Sequence, residues 1–260
     1  HHHYLLLHFL CAAPTPSLRR LLTYIPLRQR QFFFLKSPAA PQTPPLSIRR
    51  RRQMCIRTSP SSGPADLVGR KIATFPPGTI QDTLLRTWLE ENGVDPESVE
   101  IVPMDPGPAT TAISAGQVDG VFLPHPSPAI IAASGAGRTV VKSGEMRKDH
   151  ACCVLVASGP LIRDHPEIVE QVVKTHIRAT EYNLEHQDEA AAIYAARSGQ
   201  NVDIVKASFE DWDGTWTADP HLIASSVVEY TELQYELGYI KRALTEDDLF
   251  DFTFYDEAVA

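Results

Sequence analysis

Residues 66–93 read DLVGRKIATFPPGTIQDTLLRTWLEENG and contain one complete strand–loop–helix unit. Lys71–Phe75 is a short apolar run of the kind that forms a buried strand. The loop 76–78 interrupts this run, and Thr79 is a favourable N-cap with an acid three residues later. Apolar residues then recur at helical spacing until Asn92-Gly93, a common helix end. The stretch therefore predicts a strand, a tight loop and an amphipathic helix.

The same unit repeats further along the chain. Short apolar runs at Val99–Val102, Val118–Leu123 and Thr139–Val141 predict three more strands, with short helices expected at Ala109–Ala115 and Ala129–Ser134. Strands separated by single helices indicate right-handed crossovers and a parallel sheet with helices on both faces. We therefore expect an open α/β sheet, which binds ligands at the carboxyl ends of its strands.

The composition divides the 260 residues into two parts. Residues 1–65 contain ten Lys or Arg and no acid, whereas 66–260 contain the other 14 basic and all 32 acidic residues, a net charge of −18. This acidic part disfavours nucleic acid and anionic membranes as partners. Four cysteines in the whole chain exclude a disulfide scaffold.

The first 65 residues carry nine of the 21 prolines and no sustained apolar period. We expect a basic, Pro-rich leader that is disordered or foreign to the fold and forms no stable part of it. Two functional interpretations stay open. Leu5–Ala13, with Cys11, is similar to a short signal or lipid-anchor region, and Arg49–Arg52 could bind polyanions.

The loop that follows the first strand is the leading candidate for a ligand site. Pro77, Gly78 and Thr79 lead into a helix N-terminus, where free backbone N–H groups and a partial positive charge favour an anion. Gly78 permits close approach to the backbone, and Thr79 adds a hydroxyl. The alternative is that Gly78 only turns the chain and Thr79 only caps the helix.

Two further strand ends offer polar groups. Thr110 and Thr111 are expected to open the second helix, either as ligand donors or as plain caps. His125 lies between two prolines after the third strand, where its ring could hydrogen-bond a ligand. A solvated loop histidine is the alternative for His125.

Catalytic and metal chemistry find little support in the residues. His150, Cys152 and Cys153 lie together, but adjacent cysteines on a strand face opposite sides and are more typical of small core residues than of zinc ligands. Acids such as Asp105 and Asp119 show no paired arrangement for acid–base catalysis. We predict no catalytic residue, metal or cofactor.

Four blocks carry a resemblance to a known family: 66–93, 111–137, 161–186 and 233–258. In order and spacing they resemble the substrate-binding proteins of ABC importers, in the nitrate, sulfonate and taurine group, also called NMT1/THI5-like. The resemblance implies a periplasmic-binding-protein type II fold, with two α/β lobes and a ligand between them. It also implies a small anion or sulfonate as ligand, a permease with an ATPase subunit as partner, and a periplasmic or extracellular location, with or without a membrane anchor.

Mapped onto this chain, residues 66–148 resemble a nearly complete second lobe and 149–260 the mostly helical part of the first. Cys152–Ala157 would be the strand that returns to the first lobe. The N-terminal half of that lobe is not recognisable in 1–65. Two alternatives stay open: an enzyme similar to thiamine-pyrimidine synthases, using HACC at 150–153, or a fragment without function.

Overall fold

Five strands form one sheet in the computed structural model, which describes residues 52–56, 63–211 and 214–260. The sheet order is β3-β2-β4-β1-β5, and β2 pairs in parallel with both β3 and β4. This arrangement confirms the α/β class and the parallel pairing predicted from the repeated units. The strands are β1 (Arg52–Ile56), β2 (Lys71–Thr74), β3 (Glu100–Pro103), β4 (Gly120–Pro124) and β5 (Arg138–Lys142).

Strand β1 corrects the prediction for the leader, because five of its residues belong to the sheet. It lies between β4 and β5 and is antiparallel to both. Met54 and Ile56 join the apolar core on one face, and Cys55 joins the core on the other. The sheet is therefore mixed, and the leader was misread because a five-residue strand between arginines and a Ser/Pro-rich stretch gives too short a pattern. The leader residues 1–51 and 57–62 lie outside the described residues.

Helices cover both faces of the sheet, as predicted. They are α1 (Ile80–Glu91), α2 (Pro106–Ser114), α3 (Ser127–Ala133) and α4 (Ser143–Met146). On one face, Leu85 of α1 packs with Ile72 and Phe122. On the other, Ile113 of α2 and Ile131 of α3 form the core with the opposite side chains of the strands. This alternation of buried side chains along each strand builds a three-layer unit.

The remaining helices follow residue 158. They are α5 (Gly159–Asp164), α6 (Pro166–Glu185), α7 (Gln187–Ser198), α8 (Val202–Glu210), α9 (Ala224–Glu236), α10 (Glu246–Leu249) and α11 (Thr253–Val259). Val169 and Val173 of α6 pack with Phe254 of α11. A second small core joins Ala191 of α7 to Val205 of α8. This helical part is thus held by two local cores and by contacts to the sheet unit.

The predicted strand Cys152–Ala157 is not formed. Within this segment only Val154 and Ala157 make isolated bridge contacts. A strand needs neighbouring strands to satisfy its backbone, and the described residues hold no second sheet beside this segment. The division of the chain into two lobes near residue 148 stays a prediction. None of the described helices is long and apolar enough to cross a membrane.

Candidate functional site

One edge of the sheet gathers the residues predicted to bind a ligand. β2, β3 and β4 run in the same direction, so the segments that follow them lie along a single edge. The loop 76–79 follows β2, helix α2 follows β3, and His125 follows β4. Because β2 lies between β3 and β4, these segments occupy neighbouring positions at that edge. We call it the carboxyl edge.

The loop after β2 turns at Gly78, whose φ of +80° is a left-handed conformation that favours glycine. The Gly78 N–H donates to Asp82 Oδ2 at 3.2 Å. Thr79 Oγ1 donates to Pro76 O at 2.8 Å and accepts from the Asp82 N–H at 3.4 Å, so Thr79 caps α1 as predicted. The Asp82 carboxylate thus accepts from the Gly78 N–H and not from the N–H of the cap residue Thr79. Pro77 lies exposed beside them.

The carboxylate of Asp82 is fully buried and is surrounded by donors. Arg86 Nε donates to Oδ1 at 3.0 Å, and Tyr239 Oη donates to Oδ2 at 2.6 Å. Arg86 also pairs with Glu97 at 3.0 Å. Burial and the Asp82 carboxylate raise the pKa of Tyr239 to about 12, so its hydroxyl stays a donor at neutral pH. Asp82 therefore carries a compensated charge at the start of α1.

The helical part of the chain covers this loop. Gln234 Nε2 of α9 donates to the Gly78 carbonyl oxygen at 2.6 Å, and Tyr230 Oη donates to the same oxygen at 3.4 Å. A Cβ at Gly78 would lie 3.7 Å from the ring of Tyr239. Sequence reasoning missed these contacts, because residues about 155 positions apart in the chain leave no local pattern. These contacts place residues of the helical part against the carboxyl edge.

Thr110 and Thr111 do not open the second helix, which corrects the prediction. α2 begins at Pro106, a turn earlier, since proline is tolerated in a first helical turn. Thr110 Oγ1 donates to Pro106 O at 2.7 Å and Thr111 Oγ1 to Gly107 O at 3.2 Å. Pro106 and Pro108 also supply no N–H, so the start of α2 offers an anion fewer donors than the start of α1.

His125 is 7% exposed, so the interpretation as a solvated loop histidine is wrong. Its Nε2 lies 4.0 Å from Asp211 Oδ2, at the end of α8. The segment after β4 thus faces the helical part, as does the loop after β2. The ring is held where β4 and α3 meet, at the carboxyl edge.

A polar cluster around Asp211 completes this edge, and sequence reasoning missed it. Lys142 Nζ donates to Asp211 Oδ1 at 2.7 Å and to its carbonyl oxygen at 2.9 Å. Gln53 of β1 donates to Oδ2, and its own Oε1 accepts from Thr139 Oγ1 at 2.7 Å. Burial works to raise the pKa of Asp211, but the bonds from Lys142 and Gln53 outweigh it, and the pKa lies below its usual value. Gln53, Lys142 and Asp211 lie far apart in the chain, so no local pattern joined them.

The HACC segment departs from its predicted geometry. Cys152 and Cys153 do not point apart, because the segment is not a strand, and their Sγ atoms lie 3.5 Å from each other. His150 is buried, with Nδ1 at 2.9 Å from the carbonyl oxygen of Arg147. In residues 52–56, 63–211 and 214–260, no group of three or more His, Cys, Asp or Glu could hold a metal ion.

The carboxyl edge combines a helix N-terminus, neutral donors and charges that are already paired. Lys142 and Arg86 each contact a carboxylate. Such a site can hold a small polar solute by hydrogen bonds from fixed groups. Its contacts come from both the sheet unit and the helical part.

Comparison with known proteins gives a consistent family. The sequence model of the NMT1-like family matches residues 56–198, more than half of the chain. The taurine-binding periplasmic protein of Escherichia coli is 30% identical over 129 residues, covering 49% of this chain and 39% of the relative. The nitrate/nitrite binding protein NrtA of Nostoc is 26% identical over 132 residues, covering 50% of this chain and 30% of the relative. The matches thus span well under half the length of these curated relatives, both of which are binding proteins.

Solved structures share the fold. The ligand-binding component of an ABC-type import system from Staphylococcus aureus, solved with zinc bound, superposes with a TM-score of 0.70 at 17% identity, covering 82% of this chain and 73% of that one. The desulfurization enzyme DSZB also superposes, with a TM-score of 0.59 at 20% identity and coverages of 83% and 78%. The chain therefore has a periplasmic-binding-protein fold, and the fold alone does not separate capture from catalysis.

Proposed function

The chain belongs to the NMT1-like family, and on that premise we propose that it captures a small anionic solute of the nitrate, sulfonate and taurine class. The solute would be handed to an ABC permease with its ATPase subunit, from a periplasmic or extracellular location. The sequence relatives named above are binding proteins for taurine and for nitrate or nitrite. They support this class of ligand over a catalytic role.

One observation carries the proposal: residues of both the sheet unit and the helical part line the carboxyl edge. On one flank, Gln234 of α9 holds the Gly78 carbonyl at 2.6 Å. On the other, Asp211 at the end of α8 pairs with Lys142 at 2.7 Å. A solute between these flanks would touch groups from both parts of the chain. Binding would then favour one relative position of the two parts, which is the signal a permease needs.

The proposed ligand residues are Pro77, Gly78 and Thr79 after β2 and His125 after β4. The start of α1 supplies a partial positive charge, since the first backbone N–H groups of a helix have no intrahelical partner. His125 approaches from the next strand and is largely withdrawn from water. Thr110 and Thr111 would donate to an anion only by giving up their bonds to the carbonyls of α2.

Thermal unfolding of the full chain with nitrate, taurine, ethanesulfonate and sulfate tests the proposal. A ligand at 100 times its Kd stabilises by about 2.7 kcal/mol, which raises the Tm of a domain of this size by about 5–10 °C. We expect at least one of the first three anions to produce such a rise. A Tm that responds to none of them, with sodium chloride as the ionic-strength control, would refute anion capture.

A matched pair of variants locates the site. His125→Phe replaces a buried ring at the carboxyl edge, and His165→Phe replaces an exposed ring at the start of α6. We expect the first to weaken binding at least tenfold and the second to leave the affinity within about twofold. Equal affinities in the two variants would place the ligand elsewhere.

A further inference from the structure

Gln81, the second residue of α1, is buried but makes no hydrogen bond to any residue that the structure describes. The residue as a whole is only 4% exposed. The other two buried glutamines at the carboxyl edge, Gln53 and Gln234, both donate and hold fixed positions. We propose that Gln81 is a ligand-binding residue whose side-chain amide donates to an oxygen of the captured solute. This inference rests on the proposed function and names a contact within that site.

The position of Gln81 on the helix directs it to the carboxyl edge. Gln81 precedes Leu84 and Leu85 by three and four residues, so it shares their face of α1. Those leucines pack into the core with Ile72 and Phe122, which makes this the face against the sheet. Helical side chains also lean towards the N-terminus, and α1 starts at the carboxyl edge, so we expect the Gln81 amide to lie at the strand ends.

The amide of Gln81 is enclosed but still touches solvent, since its N and O atoms are not among the fully buried unpaired side-chain atoms of the described residues. An amide that bonds only to water can pair with a solute oxygen that displaces that water. The neighbouring polar groups do not satisfy it: the Gly78 N–H is taken by Asp82, and the Thr79 hydroxyl by Pro76. A solute oxygen at the start of α1 would pair the amide and would also meet the positive end of the helix. Two independent features therefore point to one position.

The charges at this edge specify the class of solute. Lys142 pairs with Asp211 at 2.7 Å, and Arg86 pairs with Asp82 at 3.0 Å. These two cations are therefore already compensated, and the groups left to meet the solute are the Gln81 amide, the His125 ring and a helix N-terminus. Such donors suit a singly charged oxyanion, because a dianion would keep a charge that this wall does not balance. We therefore expect a monovalent sulfonate or nitrate to bind more tightly than sulfate.

Calorimetric titration of the full chain and of two variants with ethanesulfonate, nitrate and sulfate tests this assignment. Gln81→Met keeps the length of the side chain and removes its donor, and Gln81→Glu replaces the donor with an acceptor that repels anions. Gln117→Met makes the same chemical change at an exposed position after α2. We expect Gln81→Met to weaken the better-bound anion at least tenfold, Gln81→Glu to abolish binding, and Gln117→Met to stay within about twofold.

The melting temperature without ligand separates this role from a structural one. Replacing an amide that bonds only to water should leave the Tm of Gln81→Met within about 2 °C of that of the wild type. A Tm several degrees lower, with affinity retained, would show a structural role and overturn the assignment, as would equal affinities in Gln81→Met and Gln117→Met. Sulfate binding as tightly as ethanesulfonate would overturn the charge argument. A wild-type chain that binds no anion would refute the proposed function itself.

Discussion

Replacing Tyr239 by phenylalanine tests the link between the helical part and the loop after β2. The hydroxyl donates to the fully buried carboxylate of Asp82 at 2.6 Å, so Tyr239→Phe removes one charge-assisted hydrogen bond and little else. Hydrogen bonds to charged groups contribute about 1.5–3 kcal/mol. Tyr239 is partly exposed, which lowers the expected loss in the free energy of unfolding to about 1–2 kcal/mol. For a domain of this size that is a fall in Tm of about 2–8 °C.

The pH dependence gives a sharper test than the magnitude. Burial and the Asp82 carboxylate raise the pKa of Tyr239 to about 12, above the value of about 10 in an unfolded chain. Because the folded pKa is the higher one, the contribution is complete below pH 10 and is lost as the pH rises towards 12. The stability gap between wild type and Tyr239→Phe should therefore stay constant from pH 7 to 9 and shrink between pH 10 and 11.5.

Urea unfolding followed by tryptophan fluorescence at pH 7.5, 9, 10.5 and 11.5 measures this gap. Tyr235→Phe is the control, since Tyr235 lies at the end of α9, four residues before Tyr239, but is 53% exposed. It should change the free energy of unfolding by less than about 0.5 kcal/mol. The reasoning fails if the two variants are equally stable at pH 7.5, or if the gap for Tyr239→Phe persists unchanged at pH 11.5.

Four further substitutions are compared with the wild type by urea unfolding. Gly78→Ala and Gly93→Ala should each lower the free energy of unfolding by about 1–2 kcal/mol. Both glycines have φ between +75° and +80°, and no atom lies closer than 3.7 Å to an added Cβ, so only the backbone strain counts. Unequal losses in the two variants would contradict this. Lys142→Met should lower the free energy of unfolding by about 1 kcal/mol at low salt and by less in 1 M NaCl, because salt screens an ion pair. His221→Ala should lower the free energy of unfolding more at pH 5.5 than at pH 8.5, since the hydrogen bond to Asp256 raises the pKa of His221. An equal loss at both pH values would refute this expectation.

The α/β unit was predictable because its signals are local. In 66–93, the apolar run, the Thr79 cap and the Asn92-Gly93 end all act within one turn or one strand. The same local patterns predicted the parallel pairing of strands and the helices on both faces. They also gave the edge at which His125 and the loop after β2 meet, because in such a sheet that edge follows from connectivity alone.

Local sequence patterns failed to predict the structure where a strand from another part of the chain determines it. Arg52–Ile56 is a strand because β4 and β5 leave a gap that it fills. Cys152–Ala157 has a more apolar sequence, yet it makes only isolated bridges, because no strand of the described residues lies beside it. The start of α2 at Pro106 was also not predicted, because prolines are typical of loops although a first helical turn tolerates them.

The sequence by itself determined the strands β2 to β5, the helices α1 to α3 between them, and which of their loops face one edge. Strand β1 was not among them, because it depends on its neighbours β4 and β5. Only the tertiary structure decided how that edge is closed: Gln234 and Tyr239 reach the loop after β2, and Asp211 reaches Lys142. The physical reason is that a helix or a strand is selected by side chains a few residues apart, whereas a hydrogen bond between surfaces depends on how two packed parts come together. Residues far apart in the chain therefore share this edge without any pattern that the sequence could display.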